Sequence, residues 1–290
     1  MPSLSVICPT RNRAPLWRSA WLLDSLRAQA EPPDELVIAL DHTEDDTLDT
    51  ILDQLQTHPL NFSVRIIEVL APRPEPHPAS GFPDNCLFHA ATGDILFHVD
   101  DDIYLPRQTL ELTRALFEDL PNIALWYPMT FVDENHAPLP DGQDWRFRMI
   151  NQHWPRVPAG LTRPPPNSQA FTGAIWSTSR AALHAIGGHD LATCGYHNQD
   201  TRIGNRLLKY CDGGSYLCTS RRLTAEHLGL TWHMQHRSDH NALRAAYGAP
   251  RSGPTIANGG NRFWTSPWFN SAYRTLTTTG HRLQSDSVRP

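Results

Sequence analysis

The stretch DILFHVDDDIYLP, Asp94 to Pro106, carries the strongest chemical signal in the chain. It opens as a buried strand should, with Ile95, Leu96, Phe97 and Val99, and then reaches three consecutive carboxylates, Asp100, Asp101 and Asp102. Two such charges about 5 Å apart repel by roughly 3 kcal/mol at an effective dielectric of about 20. Something must offset that. Alternate residues of an extended segment face the same way, so Asp100 and Asp102 share a side and Asp101 points elsewhere, with no partner assigned to it. Carboxylate oxygens at a strand end suit a hard cation such as Mg²⁺ or Mn²⁺, which can bridge to a diphosphate. A solvated turn is the plainer alternative, and placement in the fold decides between them.

Two further clusters carry chemistry. In GGHDLATCGYHNQDTRIGNRL, Asp200 stands at the start of a helical pattern. An N-cap is the plain reading, and a carboxylate held at such a junction is also placed to accept a proton from a substrate hydroxyl. AEHLGLTWHMQHRSDH holds His227, His233, His236 and His240 in a spacing that matches no zinc signature. A neutral imidazole among them can join the carboxylates around a metal. No GxGxxG or Walker pattern is present, which disfavours dinucleotide and P-loop chemistry.

The elements that must position these residues alternate. Leu4 to Cys8, DELVIALD, SVRIIEVL, ILFHV and IALWYP read as strands. Between them, APLWRSAWLLDSLRAQA, Asp45 to Gln56, PDNCLFHAATGD and the segment from Pro106 to Leu120 read as helices. This alternation predicts an α/β fold, a mostly parallel central sheet with helices on both faces. Ligands of such sheets bind beyond the carboxyl ends of the strands. Thr10, Asn12, Asp41 and Asp100 to Asp102 all fall at those ends, which favours the cation over the solvated turn. Downstream, Pro128 to Asn167 reads as a long functional loop. AFTGAIWS then reads as a strand, Ser179 to Ile186 and NQDTRIGNRLLKY as helices, and SYLC and RLTAEHLGLTW as short strands. Residues after Ser238 read as a helix and an irregular aromatic tail.

Bulk composition narrows the classes. The chain has 290 residues and a net charge of -5, which gives no reason to expect nucleic acid as a partner. No run approaches the roughly 20 apolar residues of a membrane span, and MPSLSVICPT lacks the pattern of a signal peptide. Five cysteines without a CxxC pair read as free thiols in a reducing compartment, hence a cytoplasmic location.

Together these residues resemble the family 2 glycosyltransferases of GT-A (Rossmann-like) fold, over roughly Ser3 to His233. LSVICPTRNR is similar to the family's opening strand, which meets the nucleotide base, and DELVIALDHTEDDT to its second strand, whose terminal Asp contacts the base. GFPDNCLFHAATGDILFHVDDDIYLP is similar to the family's Gly-rich turn, helix and metal-binding strand, with Asp100 and Asp102 on the DxD positions. FTGAIWSTSRAALHAIGGHD followed by NQDTRIGNRL is similar to the GGFDE…EDTDLGLRL region. The usual acid pair there is Gln199–Asp200 in this chain, so one acceptor-site carboxylate is missing.

The resemblance implies a single domain plus a C-terminal extension: residues 1–237 as the glycosyltransferase domain, with a nucleotide-sugar half (1–127) and an acceptor-binding, catalytic half (128–237), then 238–290 as the extension. It implies Asp200 as the general base, and Pro9, Thr10, Asn12, Arg13, Asp41, Gly81, Asn85, Asp100 and Asp101 around the donor. It implies Asp102, Asp100 and His227 at a Mn²⁺ or Mg²⁺, with His233 or His236 as alternatives to His227. The implied reaction is metal-dependent inverting transfer from a nucleotide sugar, a UDP-sugar being favoured, to the hydroxyl of a saccharide, natural product or peptide. A metal-dependent sugar-nucleotide hydrolase using the same carboxylates, and a non-catalytic nucleotide-sugar-binding protein with a relic site, are the rival readings.

Overall fold

Apolar residues alternate along the first strand: Leu4, Val6 and Cys8 enter one core and Ile7 the other, so both faces are covered. The computed structural model describes residues 1–70, 81–143, 161–162, 173–189, 199–211, 215–218, 223–228, 272–279 and 282–285. Its elements run β1 (Leu4–Thr10), α1 (Ala14–Arg18), α2 (Trp21–Arg27), β2 (Glu35–Leu40), α3 (Thr47–Thr57), β3 (Ser63–Val69), α4 (Gly81–Ala90), β4 (Ile95–Val99), β5 (Ile103–Tyr104), α5 (Thr109–Asp119) and β6 (Ala124–Trp126). They continue as β7 (Met129–Val132), β8 (Pro138–Gln143), β9 (Leu161–Thr162), β10 (Ile175–Ser179), α6 (Arg180–Ile186), α7 (Gln199–Tyr210), β11 (Ser215–Cys218), β12 (Ala225–Leu228), β13 (Tyr273–Thr279) and β14 (Arg282–Ser285).

The central sheet has the order β14-β13-β3-β2-β1-β4-β10-β6-β11-β9. Strands β3, β2, β1 and β4 are parallel, whereas β10 runs antiparallel between β4 and β6. The chain winds one way from β1 through β3, then crosses back to place β4 on the other side of β1. That reversal opens a crevice at the carboxyl ends of β1 and β4, where Thr10 and Asp100 to Asp102 stand. Trp17, Leu22, Leu26, Ile51, Leu110 and Phe117 cover one face; Leu87, Phe88, Leu183, Ile203 and Leu207 cover the other.

Four expectations change. The first helical run is two helices, because Ala20 adopts a left-handed conformation (φ 55°) that interrupts the ladder between α1 and α2. The helix after Pro106 starts at Thr109, Pro106 instead accepting the Thr109 amide at 3.0 Å in the preceding turn. The stretch from Pro128 is not all loop: β7 and β8 pair antiparallel and, with β5 and β12, form a second sheet of order β5-β12-β7-β8. Finally, β13 pairs antiparallel with β3, so part of the C-terminal extension is a strand of the central sheet. Residues 144–160 and 163–167 of the expected loop, the helix expected after Ser238, and His233, His236 and His240 lie outside the described residues. No described helix is long and apolar enough to cross a membrane.

Candidate active site

The three aspartates end in three different environments. Asp100 leaves β4 with its amide bonded to the Ala174 carbonyl at 2.9 Å. Asp101 does have a partner: the Thr10 hydroxyl donates to its Oδ2 at 2.6 Å, and Thr10 in turn accepts from Trp17 Nε1 at 2.8 Å. Asp102 is buried, 3% exposed, and its carbonyl accepts the Leu228 amide at 2.8 Å. The antiparallel pairing of β5 with β12 sets His227 opposite Ile103, the residue after Asp102. His227 Nε2 consequently lies 3.8 Å from Asp102 Oδ1, with Phe131 tilted over its ring at 4.8 Å.

That pair is the part of the site suited to a cation. Adjacent ligands of an octahedral ion stand about 3.0 Å apart, so at 3.8 Å the two atoms would have to draw closer to share a single Mg²⁺- or Mn²⁺-class ion. Among the described residues no group of three or more His, Cys, Asp or Glu takes up a metal-binding arrangement. Charge is concentrated here. Burial pushes the Asp100 carboxyl up; nearby His98 opposes that, and Asp102, Asp101 and Asp200 add to it. Burial also raises Asp101, against the pull of Arg13 and the Thr10 hydrogen bond. A divalent cation bound here would relieve this crowding.

The β1 and β2 loops interlock on the other side. Asn12 takes a left-handed conformation (φ 50°), which Asn tolerates, and its Oδ1 accepts the Glu44 amide at 2.8 Å. The Arg13 amide donates to Thr47 Oγ1 at 2.7 Å, and the Asp41 amide to the Thr10 carbonyl at 2.9 Å. Pro9, Thr10, Asn12, Arg13 and Asp41 are therefore brought to one edge of the crevice.

Gly81 and Asn85 are engaged within the protein. The Asn85 amide is fully buried; it accepts from the His189 amide at 2.7 Å and donates to the His189 carbonyl at 3.0 Å. A Cβ on Gly81 would sit 2.7 Å from His189 Cβ. Asp200 opens α7 and takes a backbone hydrogen bond from Gly173. A Cβ at Gly173 would lie 2.7 Å from Asp200 Oδ1, so any side chain there would displace the carboxylate. Burial raises the Asp200 carboxyl, with His189 and His98 pulling it down and Asp84 pushing it up.

One cluster was not anticipated. Asp84 Oδ1 lies 3.2 Å from His98 Nε2 and its Oδ2 lies 3.2 Å from His189 Nε2. A histidine inside the apolar strand ILFHV and another in GGHD were the available signals. Neither reveals the other partner, because α4, β4 and the residue after α6 come together only in the folded chain.

A mostly parallel central sheet flanked by helices is the fold that this chain shares with solved GT-A glycosyltransferases. Residues 5–187 match the glycosyl transferase family 2, and the chain belongs to that family. Curated protein sequences yield no match. Among solved structures, S. aureus TarS (residues 1–349) aligns at TM-score 0.55 and 18% identity, covering 84% of this chain and 64% of its own. The same protein in complex with UDP aligns at TM-score 0.55 and 21% identity, covering 78% and 60%. GalNAc-T7 with UDP, GalNAc and Mn²⁺ aligns at TM-score 0.56 and 13% identity, covering 79% of this chain and 43% of its own. The chain thus spans less than two thirds of these relatives, and the likeness is one of fold.

Proposed function

We propose that the protein transfers a sugar, with inversion, from a nucleoside diphosphate donor to an acceptor hydroxyl. The observation that carries this reading is the approach of Asp102 and His227 to 3.8 Å at the switch-point crevice, with Asp200 on the neighbouring α7. The UDP and Mn²⁺ named with the structural neighbours support a UDP-sugar and a divalent ion here too. A bound Mn²⁺ or Mg²⁺ would neutralise charge developing on the diphosphate.

The chain's own residues do the rest. Pro9, Thr10, Asn12, Arg13 and Asp41 border the nucleoside, Asp100 and Asp101 border the ribose and diphosphate, and Asp102 and His227 would hold the cation. Asp200 accepts the acceptor's hydroxyl proton as that oxygen forms its bond to the anomeric carbon. The bond from that carbon to the diphosphate oxygen breaks, and its electron pair leaves with the nucleotide. Burial lifts the basicity of Asp200 toward the range where a carboxylate is useful as a base. The test is a thermal-shift panel of UDP-, GDP- and dTDP-sugars with and without Mn²⁺. A donor at about 100 times its dissociation constant adds roughly 2.7 kcal/mol of stability. Silence across the panel would overturn the reading.

A further inference from the structure

Asp102 directly precedes β5 and His227 lies in β12, strands of two and four residues. A usual strand has about five or six, so few ladder bonds hold these two. Successive side chains of a strand point to opposite faces, and Glu226 therefore lies on the reverse of His227, in keeping with the alternating burial along β12. There Glu226 stands opposite Tyr104, its cross-strand neighbour. Glu226 Oε2 lies 2.5 Å from His136 Nδ1. The His136 ring is stacked on Trp21 at 4.3 Å and edge-on to Tyr104 at 5.0 Å, and Trp21 meets Tyr104 edge-on at 5.5 Å. Three rings and a carboxylate, from α2, β5, the β7–β8 turn and β12, thus close on one another. The turn is built to present His136: Asp133 Oδ1 accepts the Asn135 and Ala137 amides at 2.8 and 2.9 Å, and His136 takes a left-handed backbone (φ 63°). Such a conformation costs energy in a non-glycine residue and persists where its surroundings hold it. Trp21 is 6% exposed, yet its Nε1 finds no hydrogen-bond partner among the described residues, so what it contributes is its ring.

We propose that Glu226 and His136 are positioning residues for the Asp102–His227 pair, a role that rests on the reading of that pair as ligands of a divalent ion. Tyr104 stands two residues beyond Asp102, and Glu226 one residue before His227. One set of contacts therefore grips both strands beside the two ligands. Holding Glu226 fixes the roll of β12 about its own axis, and with it the direction in which His227 projects. On the inner face Phe131, tilted over the His227 ring at 4.8 Å, limits that ring from its own side. Fold stability is a small part of what the contact does: the His136 and Glu226 side chains are 46% and 35% exposed, and ion pairs so open contribute little to it. Contacts that orient a metal ligand from outside act on affinity instead, typically by about 10- to 100-fold.

The assay is Mn²⁺ binding with and without UDP, read from the loss of the free ion's electron paramagnetic resonance signal; it needs no turnover. Glu226→Ala should weaken Mn²⁺ affinity by about 10- to 100-fold and leave UDP affinity in EDTA at the wild-type value. Glu226→Gln, whose amide oxygen can still accept from Nδ1, should recover most of that loss. His136→Gly suits the left-handed backbone and deletes the ring. It should weaken Mn²⁺ binding as Glu226→Ala does, and the double variant should fall no further than the weaker single, since both act through one contact. Wild-type Mn²⁺ affinity in Glu226→Ala, or losses that add in the double variant, overturns the proposal. So does a lowered urea midpoint with Mn²⁺ affinity intact, the mark of a contact that only holds the fold together. If Glu226→Ala does not fold, His136→Gly takes its place with the same expectation; failure of both to fold makes the contact structural and overturns the proposal too. Asp102→Ala separates the two readings. Wild-type Mn²⁺ binding in that variant, or no Mn²⁺ uptake by the wild type, defeats the cation reading and the positioning with it. Binding lost in Asp102→Ala beside an unaffected Glu226→Ala defeats only the positioning.

Discussion

The Thr10 hydroxyl donates to Asp101 Oδ2 at 2.6 Å while accepting from Trp17 Nε1 at 2.8 Å. This contact divides the three aspartates. The middle one is fastened to the end of β1, and Asp102 is turned toward His227. A side chain with one hydroxyl thereby satisfies a buried carboxylate and a buried indole together. Thr10→Val leaves both without that partner and should cost about 1–3 kcal/mol of stability, read as a lower urea midpoint at unchanged m-value. Thr10→Ser should stay near wild type.

Removal of either member of the Asp102–His227 pair should abolish Mn²⁺-dependent donor stabilisation. In the thermal-shift assay, Asp102→Ala and His227→Ala should respond to donor plus Mn²⁺ no more than wild type does in EDTA. An unchanged response in both variants would sink the metal assignment.

Asp200→Asn should lower turnover by about 10²–10⁴-fold and leave donor affinity nearly intact, since the general base acts on the acceptor. Affinity measured by calorimetry that collapses alongside turnover would show a different role. The pH dependence has a definite sign. Burial raises the folded-state pKa of this carboxyl, and only its deprotonated form accepts a proton. Turnover should therefore fall as pH drops through a value above the ordinary carboxylate range, and the acid limb should vanish in Asp200→Asn.

Gly173→Ala would put a Cβ 2.7 Å from Asp200 Oδ1, closer than real contacts allow. The carboxylate must swing away. Turnover should drop by about 10²-fold with donor binding retained. Wild-type kinetics would mean that the carboxylate has room to work elsewhere.

At the opposite end of the sheet, Glu35 accepts from Ser5 Oγ at 2.6 Å, from the Thr92 amide at 2.6 Å and hydroxyl at 2.8 Å, and from Arg65 Nε at 3.0 Å. Burial raises its pKa, but these hydrogen bonds outweigh burial and leave it lowered. A lowered acid contributes stability that is present above its unfolded pKa and is lost as pH falls through the folded one. Glu35→Gln should cost roughly 2–4 kcal/mol at neutral pH, and the gap to wild type should close in the acid range. Urea melts at neutral and acidic pH test this; a gap that persists on acidification would contradict it.

Much of this protein is legible without coordinates because its information is local. Short apolar runs such as ILFHV and LVIAL between turn signals read as strands buried on both faces, and Leu48, Ile51, Leu52 and Leu55 as a helical stripe, as they are in the structure. Their alternation implies the sheet and its ligand-binding edge, and so Thr10, Asp41 and Asp100 to Asp102 at one place. The β5-β12-β7-β8 sheet leaves little trace in the sequence because its strands are short and their partners distant. The return of β13 to β3 was hidden for the same reason. Only the tertiary structure decided that Asp101 faces Thr10, that His227 meets Asp102, and that Asp84 bridges two histidines. Residue type and period specify a face and an edge. Which buried polar groups touch is set by how strands far apart in the chain come into register, and no local pattern encodes that.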